Sequence, residues 1–492
     1  MSERGRKEVR RTRTVSLRFV LSVNQCKGVA HMKRLHWAAL VTLVAALGLA
    51  IAAVPTWAGA KKSYEQINWN KPKPIGERIG SQKYVLPEGW KEAVKGVTKI
   101  KVSNFGALEH DPATVQNAKA FEELTGIKVE VLAWAEPPIV AKTVSIFAAK
   151  SAAVDIMCYD HPTTYMQMVA GGWLHPIDAI WNDPGVWKLY APPTKKGLTA
   201  PDGHIYGSIG QVKTMMLFYR PSVVSKPPAT WTEVQETAKK VTTDKMWGYV
   251  FSAGGEMDIV YPLRDMIYSQ GGRMVELKKQ RIAINTPEGK NAWKMLTDMV
   301  MTDKSAPSSV LEYSWMAASD MFAMGKAAMV VTHTVDANRF QDPKKAPNIQ
   351  NDWAVAPPPK WDASKSDEFH ASYFDIDGYM INKYISDPQK AAAMLFLDYM
   401  RSYEAQYREL IVEGNEAAVI SVYDNPDAKK IPVPEARKAA MSRAVLETFP
   451  PAGRMLTDLI KEHFAYAIGG KMSPAEALEK GQKALDDAAV PE

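Results

Sequence analysis

Along this chain, stretches with apolar residues at every second position alternate with stretches where they recur every third or fourth. Lys99-Ile100-Lys101-Val102 has period two and predicts a half-buried strand. Val115, Ala118, Phe121 and Leu124 then keep helical spacing as far as Gly126, and Ile127-Lys128-Val129-Glu130-Val131 predicts a second strand. A helix over 138–149 precedes Val154-Asp155-Ile156-Met157-Cys158-Tyr159, a mostly apolar run that suits a buried parallel strand. Strand, helix, strand, helix, strand is the rhythm of a doubly wound α/β domain.

The pattern changes further along. Gly207 to Tyr219 reads as strand. Thr230 and Glu233 have the spacing of a capping box at the start of a helix through Val234, Ala238 and Val241. A helix from Thr286 to Met301 carries Pro287 and Glu288 in its first turn. Residues 389–401 form an amphipathic helix with Ala392, Leu395, Phe396 and Tyr399, and a last helix starts at Ser473-Pro474. Residues 61–96, rich in Lys, Pro and Gly, read as an irregular lead-in, and Ala356-Pro357-Pro358-Pro359 as a crossing between domains.

A length of 492 residues exceeds one typical domain. With 46% hydrophobic and 23% charged residues the composition is that of a globular protein, which excludes a mostly disordered, collagen-like or polytopic membrane chain. The net charge of +7 is concentrated at the start: residues 1–60 hold ten Lys/Arg against two Asp/Glu, leaving 51 against 52 in the rest. No nucleic-acid partner is implied.

That basic start has the three parts of a secretory signal peptide: Lys33-Arg34 after Met32, an apolar run through Leu40, Leu43, Leu47, Leu49 and Ile51, and the small-residue site Ala58-Gly59-Ala60. Met32 is the expected true start, residues 1–31 an upstream extension, and cleavage is expected after Ala60. The alternative is an uncleaved anchor, since an apolar run of roughly 17–20 residues just spans a bilayer; Pro55 and the small residues favour cleavage. No lipid-accepting Cys follows the small residues, and Cys158 stands alone beyond them, so no intrachain disulfide, metal site or cofactor is expected. The expected compartment is the periplasm.

Motifs for nucleophilic serine, zinc-peptidase and nucleotide chemistry are missing. The acidic pairs Asp375/Asp377 and Glu256/Asp258 leave a secreted carbohydrate-active hydrolase open. Residues 61–492 contain twelve Trp, among them Trp134 after the second strand, which could stack on sugar faces. In open α/β sheets ligands lie beyond the carboxyl ends of strands.

Five blocks occur in register: Ile100-Lys101-Val102 with Phe121-Glu122-Glu123-Leu124-Thr125-Gly126-Ile127-Lys128-Val129; Val154-Asp155-Ile156 with Gly171-Gly172-Trp173-Leu174; Gly203-His204-Ile205-Tyr206-Gly207 with Pro228-Ala229-Thr230-Trp231; Met321-Phe322-Ala323-Met324-Gly325-Lys326-Ala327-Ala328-Met329; and Pro474-Ala475-Glu476-Ala477-Leu478. Together they resemble the family 1 extracellular solute-binding proteins of ABC importers, the group that includes maltose-binding protein. The resemblance implies an α/β, two-lobe fold of the type II periplasmic-binding-protein kind, with hinge strands and an interlobe ligand cleft. The first lobe would take 97–212 and 355–402, the second 213–354 and 403–490. It also implies a monomeric, non-enzymatic protein that captures a small solute, such as a sugar, oligosaccharide or polyol, and delivers it to a permease and ATPase at the inner membrane.

The ligand-contact positions implied by this resemblance are Asn104 and Glu109 after the first strand, Trp134 after the second, and Tyr159 and Asp160 after the third. They continue with Gln211 and Lys213 at the first crossing, Glu256 and Tyr261, His333, Tyr373 and Asp375, and Arg454. Lys213 stands where the maltose-binding pattern has a carboxylate, and Thr332-His333-Thr334 where the family often has an aromatic, which argues against a maltodextrin. Glu109, Asp160, Glu256 and Asp375 suit hydroxyls or a cation; Lys213, His333 and Arg454 suit an anion. A polyamine, peptide or organic anion therefore stays open beside carbohydrate.

Overall fold

In the computed structural model, which describes residues 61–105, 111–134, 138–159, 162–255, 257–276, 281–370, 372–450 and 452–489, helices begin where side chains satisfy free backbone N–H groups. The Thr230 hydroxyl accepts from Glu233 N at 3.1 Å while the Glu233 carboxylate accepts from Thr230 N, the expected capping box. Thr286, Ser386 and Ser473 cap three further helices, each with proline in the first turn. Helix Pro112–Thr125 starts on Asp111 and stops at left-handed Gly126 (φ 76°). It buries the middle of the stripe expected from its spacing, Ala118 and Phe121, but not the two ends. Val115 and Leu124 are each 40% exposed, whereas Asn117 is turned inward, donating to the Ala405 carbonyl.

The described strands are, in chain order, β1 Lys99–Phe105, β2 Lys128–Trp134, β3 Ile156–Tyr159, β4 Gly207–Lys213, β5 Met215–Tyr219, β6 Val275–Glu276, β7 Arg281–Ile282, β8 Met329–His333, β9 Ala354–Ala356, β10 Ser372–Tyr373, β11 Asp375–Ile381 and β12 Ala444–Val445. Five of them form one sheet in the order β2-β1-β3-β11-β4. In it β1 runs parallel to β2 and β3, while β11 is antiparallel to β3 and β4. A second sheet has the order β8-β5-β9, antiparallel throughout.

Each sheet has its own core. Ile100, Val102, Ile156, Ile209 and Met380 of the first sheet bury against Phe121, Leu395 and Phe396. In the second, alternation along β5 sends Leu217 into a core with Trp231, Leu263, Trp293 and Phe464, and Phe218 into a smaller one with Phe322 and Phe340. The expected strand from Gly207 to Tyr219 is thus two strands that part at Thr214 and serve different sheets. This is the first passage between the cores. The second runs from Ala356 to Phe374. Tyr403, Leu410, Val419, Tyr423, Met441 and Leu446 bury in the first core and Phe449 in the second, so the third passage lies at 446–449, beyond the 402/403 boundary expected from sequence. The passages are tied sideways: the Ser372 hydroxyl accepts from Met215 N at 2.5 Å, and β10 pairs with β12.

Residues 61–96 are not an irregular lead-in. They carry the short helices Ile75–Gly80 and Trp90–Ala93 and bury Ile67, Trp69, Ile75, Ile79 and Tyr84 in the first core. Fully buried Arg78 pairs with fully buried Asp398 at 2.6 Å, Arg401 pairs with the other oxygen of Asp398 at 2.7 Å, and the Tyr84 hydroxyl donates to Asp398 at 2.6 Å. Charges are kept inside a core only with such partners.

Candidate functional site

Because β1 and β3 are parallel neighbours, their carboxyl ends open on the same side, and the antiparallel strands β11 and β4 complete the rim. A cavity of about 180 Å³ lies there, lined by Asn104 and Phe105 of β1, Cys158 and Tyr159 of β3, Gln211 of β4 and Asp377 of β11. This is below the ~300–1,000 Å³ of drug-sized sites and suits a small solute.

The register of β11 against β4 shifts between Asp377 and Gly378. Such a bulge re-aims a side chain at a strand end. Residue 378 is glycine of necessity, since a Cβ there would strike the Ser208 carbonyl oxygen. Asp377 accepts from Gln211 Nε2 at 2.9 Å and pairs with Lys213 Nζ at 2.6 Å. Burial opposes the charge on Lys213, but the carboxylates of Asp377 and Asp375 keep it protonated, above the usual lysine range. Tyr159 donates to the Ser208 carbonyl at 3.0 Å, and burial pushes its phenol well above the ordinary value.

The remaining wall comes from distant sequence. Asp111 caps helix Pro112–Thr125 with one oxygen and takes Asn104 Nδ2 on the other at 2.5 Å. Opposite it, Glu409–Glu413 is a π-helical turn closed by left-handed Gly414 (φ 85°), a form that often marks functional sites. Glu409, Glu413 and Asn415 line the cavity. Burial, reinforced by the charge of Asp111, raises Glu409 well above the usual carboxyl range and Glu413 to about 7.

A second group of side chains gathers near the passages. The ring of His333 meets Trp315 edge-on at 4.6 Å and Tyr261 at 5.6 Å, and Tyr261 lies 5.8 Å from Tyr373. The buried guanidinium of Arg264 sits 3.2 Å over the Tyr373 ring. Burial raises the Tyr261 phenol, Asp375 adds to the rise and Lys213 opposes it, so the charges of Lys213 and Asp375 act on the aromatic group.

A model of the family described as bacterial extracellular solute-binding protein matches residues 107–407, more than half of the chain. The protein belongs to that family. Similar solved structures include maltose-bound MalE3 of T. maritima, at 20% identity and TM-score 0.67 over 79% of this chain and 99% of that one. An ABC transporter solute-binding protein of Agrobacterium radiobacter K84 in complex with ribitol gives 20% and 0.67 over 80% and 99%. An ABC substrate-binding protein of Listeria monocytogenes in complex with cycloalternan gives 22% and 0.66 over 80% and 98%. The architecture of this solute-binding protein is therefore the two-lobe, type II periplasmic-binding fold, and its family consists of binding proteins. Among the described residues no helix is long and apolar enough to cross a membrane.

Of the contact positions expected in this solute-binding protein, Asn104, Tyr159 and Gln211 line the cavity, with Lys213 at its edge through Asp377. Tyr261, His333 and Tyr373 come together in the aromatic group, with Asp375 close by. Trp134 ends β2 outside the cavity lining, with Lys142 Nζ 3.9 Å over its ring. Glu109, Asp160 and Glu256 lie outside the described residues, and so does the Arg454 side chain, whose backbone opens helix Gly453–Ile468. Asp258, expected as half of an acidic pair, is 4% exposed and accepts from Trp315 N at 2.8 Å and from Gly255 N; it is a backbone cap. Asp111, Glu409, Glu413 and Asn415 were not expected. An Asp before Pro signals only a helix start, and the π-turn has no sequence period to betray it.

Proposed function

We propose that this protein is the solute-binding component of an ABC import system and that it holds a small sugar or polyol in the cavity at the ends of β1 and β3. The observation carrying this reading is the lining itself: amides, carboxylates and tyrosine edges converge on about 180 Å³ at the strand ends. Hydroxyl groups find donors and acceptors there. Relatives of the same fold hold maltose, ribitol and cycloalternan. In the aromatic group Tyr261 packs against the second core and His333 ends β8 of the second sheet, and lobe closure about the three tied passages would bring the group over the solute. Closure is driven only by the solute's tighter binding to the closed form.

In this reading the N-terminal leader directs export to the periplasm, the captured solute passes unaltered to a membrane permease, and no bond is broken by this chain. The capping role of Asp258 supports binding over hydrolysis. A thermal-shift screen of the purified protein against sugars, polyols, polyamines and small anions tests the reading. A sugar or polyol should raise the melting temperature, by mass action on the folded state. A shift confined to small anions would overturn it.

A further inference from the structure

The wall made by Asp111 and the π-turn is acidic, and among the described residues no cation pairs with it. Glu409 is 3% exposed, and its side chain takes a hydrogen bond from Asn415 Nδ2 at 3.1 Å on Oε2, leaving Oε1 without one among the described residues. Among the described residues Glu413 accepts only a long bond from Ala113 N, 3.4 Å. Arg408, next in the chain, turns away to Asn117, Tyr399 and Glu404. Lys345 is within electrostatic reach of Glu413 but forms no ion pair with it, and Lys213 is engaged by Asp377. On the facing side the buried Oε1 of Gln211 also accepts no hydrogen bond. These open oxygens are acceptors, and the carboxyls among them collect on one side of the cavity.

Hydroxyls can donate to these acceptors, one hydrogen each, but leave the charge unbalanced. An ammonium group brings three donors and the missing positive charge together. We infer that the solute carries a protonated amine seated against Asp111, Glu409 and Glu413, as in an amino sugar or amino polyol. This rests on the reading that the cavity holds the solute. Without that cation, burial and the nearby charge of Asp111 make Glu409 and Glu413 hold their protons more tightly, which is the sense of their raised values. Among the described residues, the other titratable or charged groups lining this cavity are Tyr379, Tyr159, Cys158 and Asp377, the last paired with Lys213, and Lys345 acts on Glu413 electrostatically.

Calorimetry with the purified protein on matched pairs tests this: sorbitol against 1-amino-1-deoxysorbitol, glucose against glucosamine, with putrescine as an amine without hydroxyls. The aminated member should bind at least about tenfold tighter, the worth of one charge-assisted hydrogen bond. For 1-amino-1-deoxysorbitol the advantage should grow from pH 6 to 8, as Glu413 gives up its proton while the amine keeps its own. Glu413→Gln should cost the amine about tenfold more affinity than it costs sorbitol. Equal or tighter binding of the neutral members, with a flat pH dependence in the unmutated protein, overturns the inference and leaves the sugar or polyol reading standing. Putrescine binding alone supports the amine contact and overturns the polyol. Silence from every compound overturns both.

Discussion

Asp398 sits at full burial between Arg78 and Arg401, with Tyr84 completing its hydrogen bonds. Burial opposes its ionisation, but the two guanidinium groups hold the carboxyl below its usual range. Asp398→Ala would strand two buried cations, and urea unfolding should register a loss of about 3–5 kcal/mol. Glu413 presents the reverse case. Its folded value of about 7 lies above the ordinary 4.5, so between these the folded state holds the proton that the unfolded chain has lost. Stability of the empty protein should therefore fall as pH rises from 4.5 to 7. Glu413→Gln should flatten that fall, which paired thermal melts across the window will reveal; an unchanged slope would place the proton elsewhere. Single residues were legible where they obey local rules, as with Thr230 and Glu233 or Gly126. The wealth of Trp misled, because much of it serves packing: Trp231 and Trp293 are fully buried, and Trp181 stacks on Trp187 at 4.6 Å.

Strand β11 is the element on which the cavity turns. It lies between β3 and β4, and its bulge at Asp377/Gly378 directs Asp377 toward Gln211 and Lys213. Gly378→Ala would press a methyl group into the Ser208 carbonyl. Overpacking of this kind costs about 1–3 kcal/mol; a lowered urea midpoint together with weakened solute binding is expected, whereas full affinity in the variant would mean that the bulge does not shape the site. Periodicity located β1 and β2, whereas an unbroken apolar run marks β3, which is buried along its whole length, as are Ala391 to Met400 of the helix expected over 389–401. Periodicity missed the break at Thr214, since both flanking strands are largely buried and only the change of sheet divides them. It also misread residues 61–96, whose Lys- and Pro-rich composition conceals the burial of Ile75, Ile79 and Tyr84. A chain lacking residues 61–96 should melt far below the intact one, having uncovered that face and halved the guanidinium partners of Asp398.

Two sheets with separate cores, joined by three tied passages, give a molecule whose parts can rotate about a few backbone positions while each core stays intact. That architecture was readable in the order of the sequence blocks. The cavity's acidic wall was not, because Asp111 and Glu409 stand almost three hundred residues apart and meet only after the chain has crossed between sheets twice. On the proposed function, the whole molecule grips a small solute and leaves it chemically intact. Isothermal titration calorimetry of the purified protein with sugars, polyols and their amino derivatives tests it most directly. The predicted record is a saturable one-to-one isotherm whose heat returns to the dilution baseline after each injection. A steady heat signal that persists until the compound is consumed would contradict it.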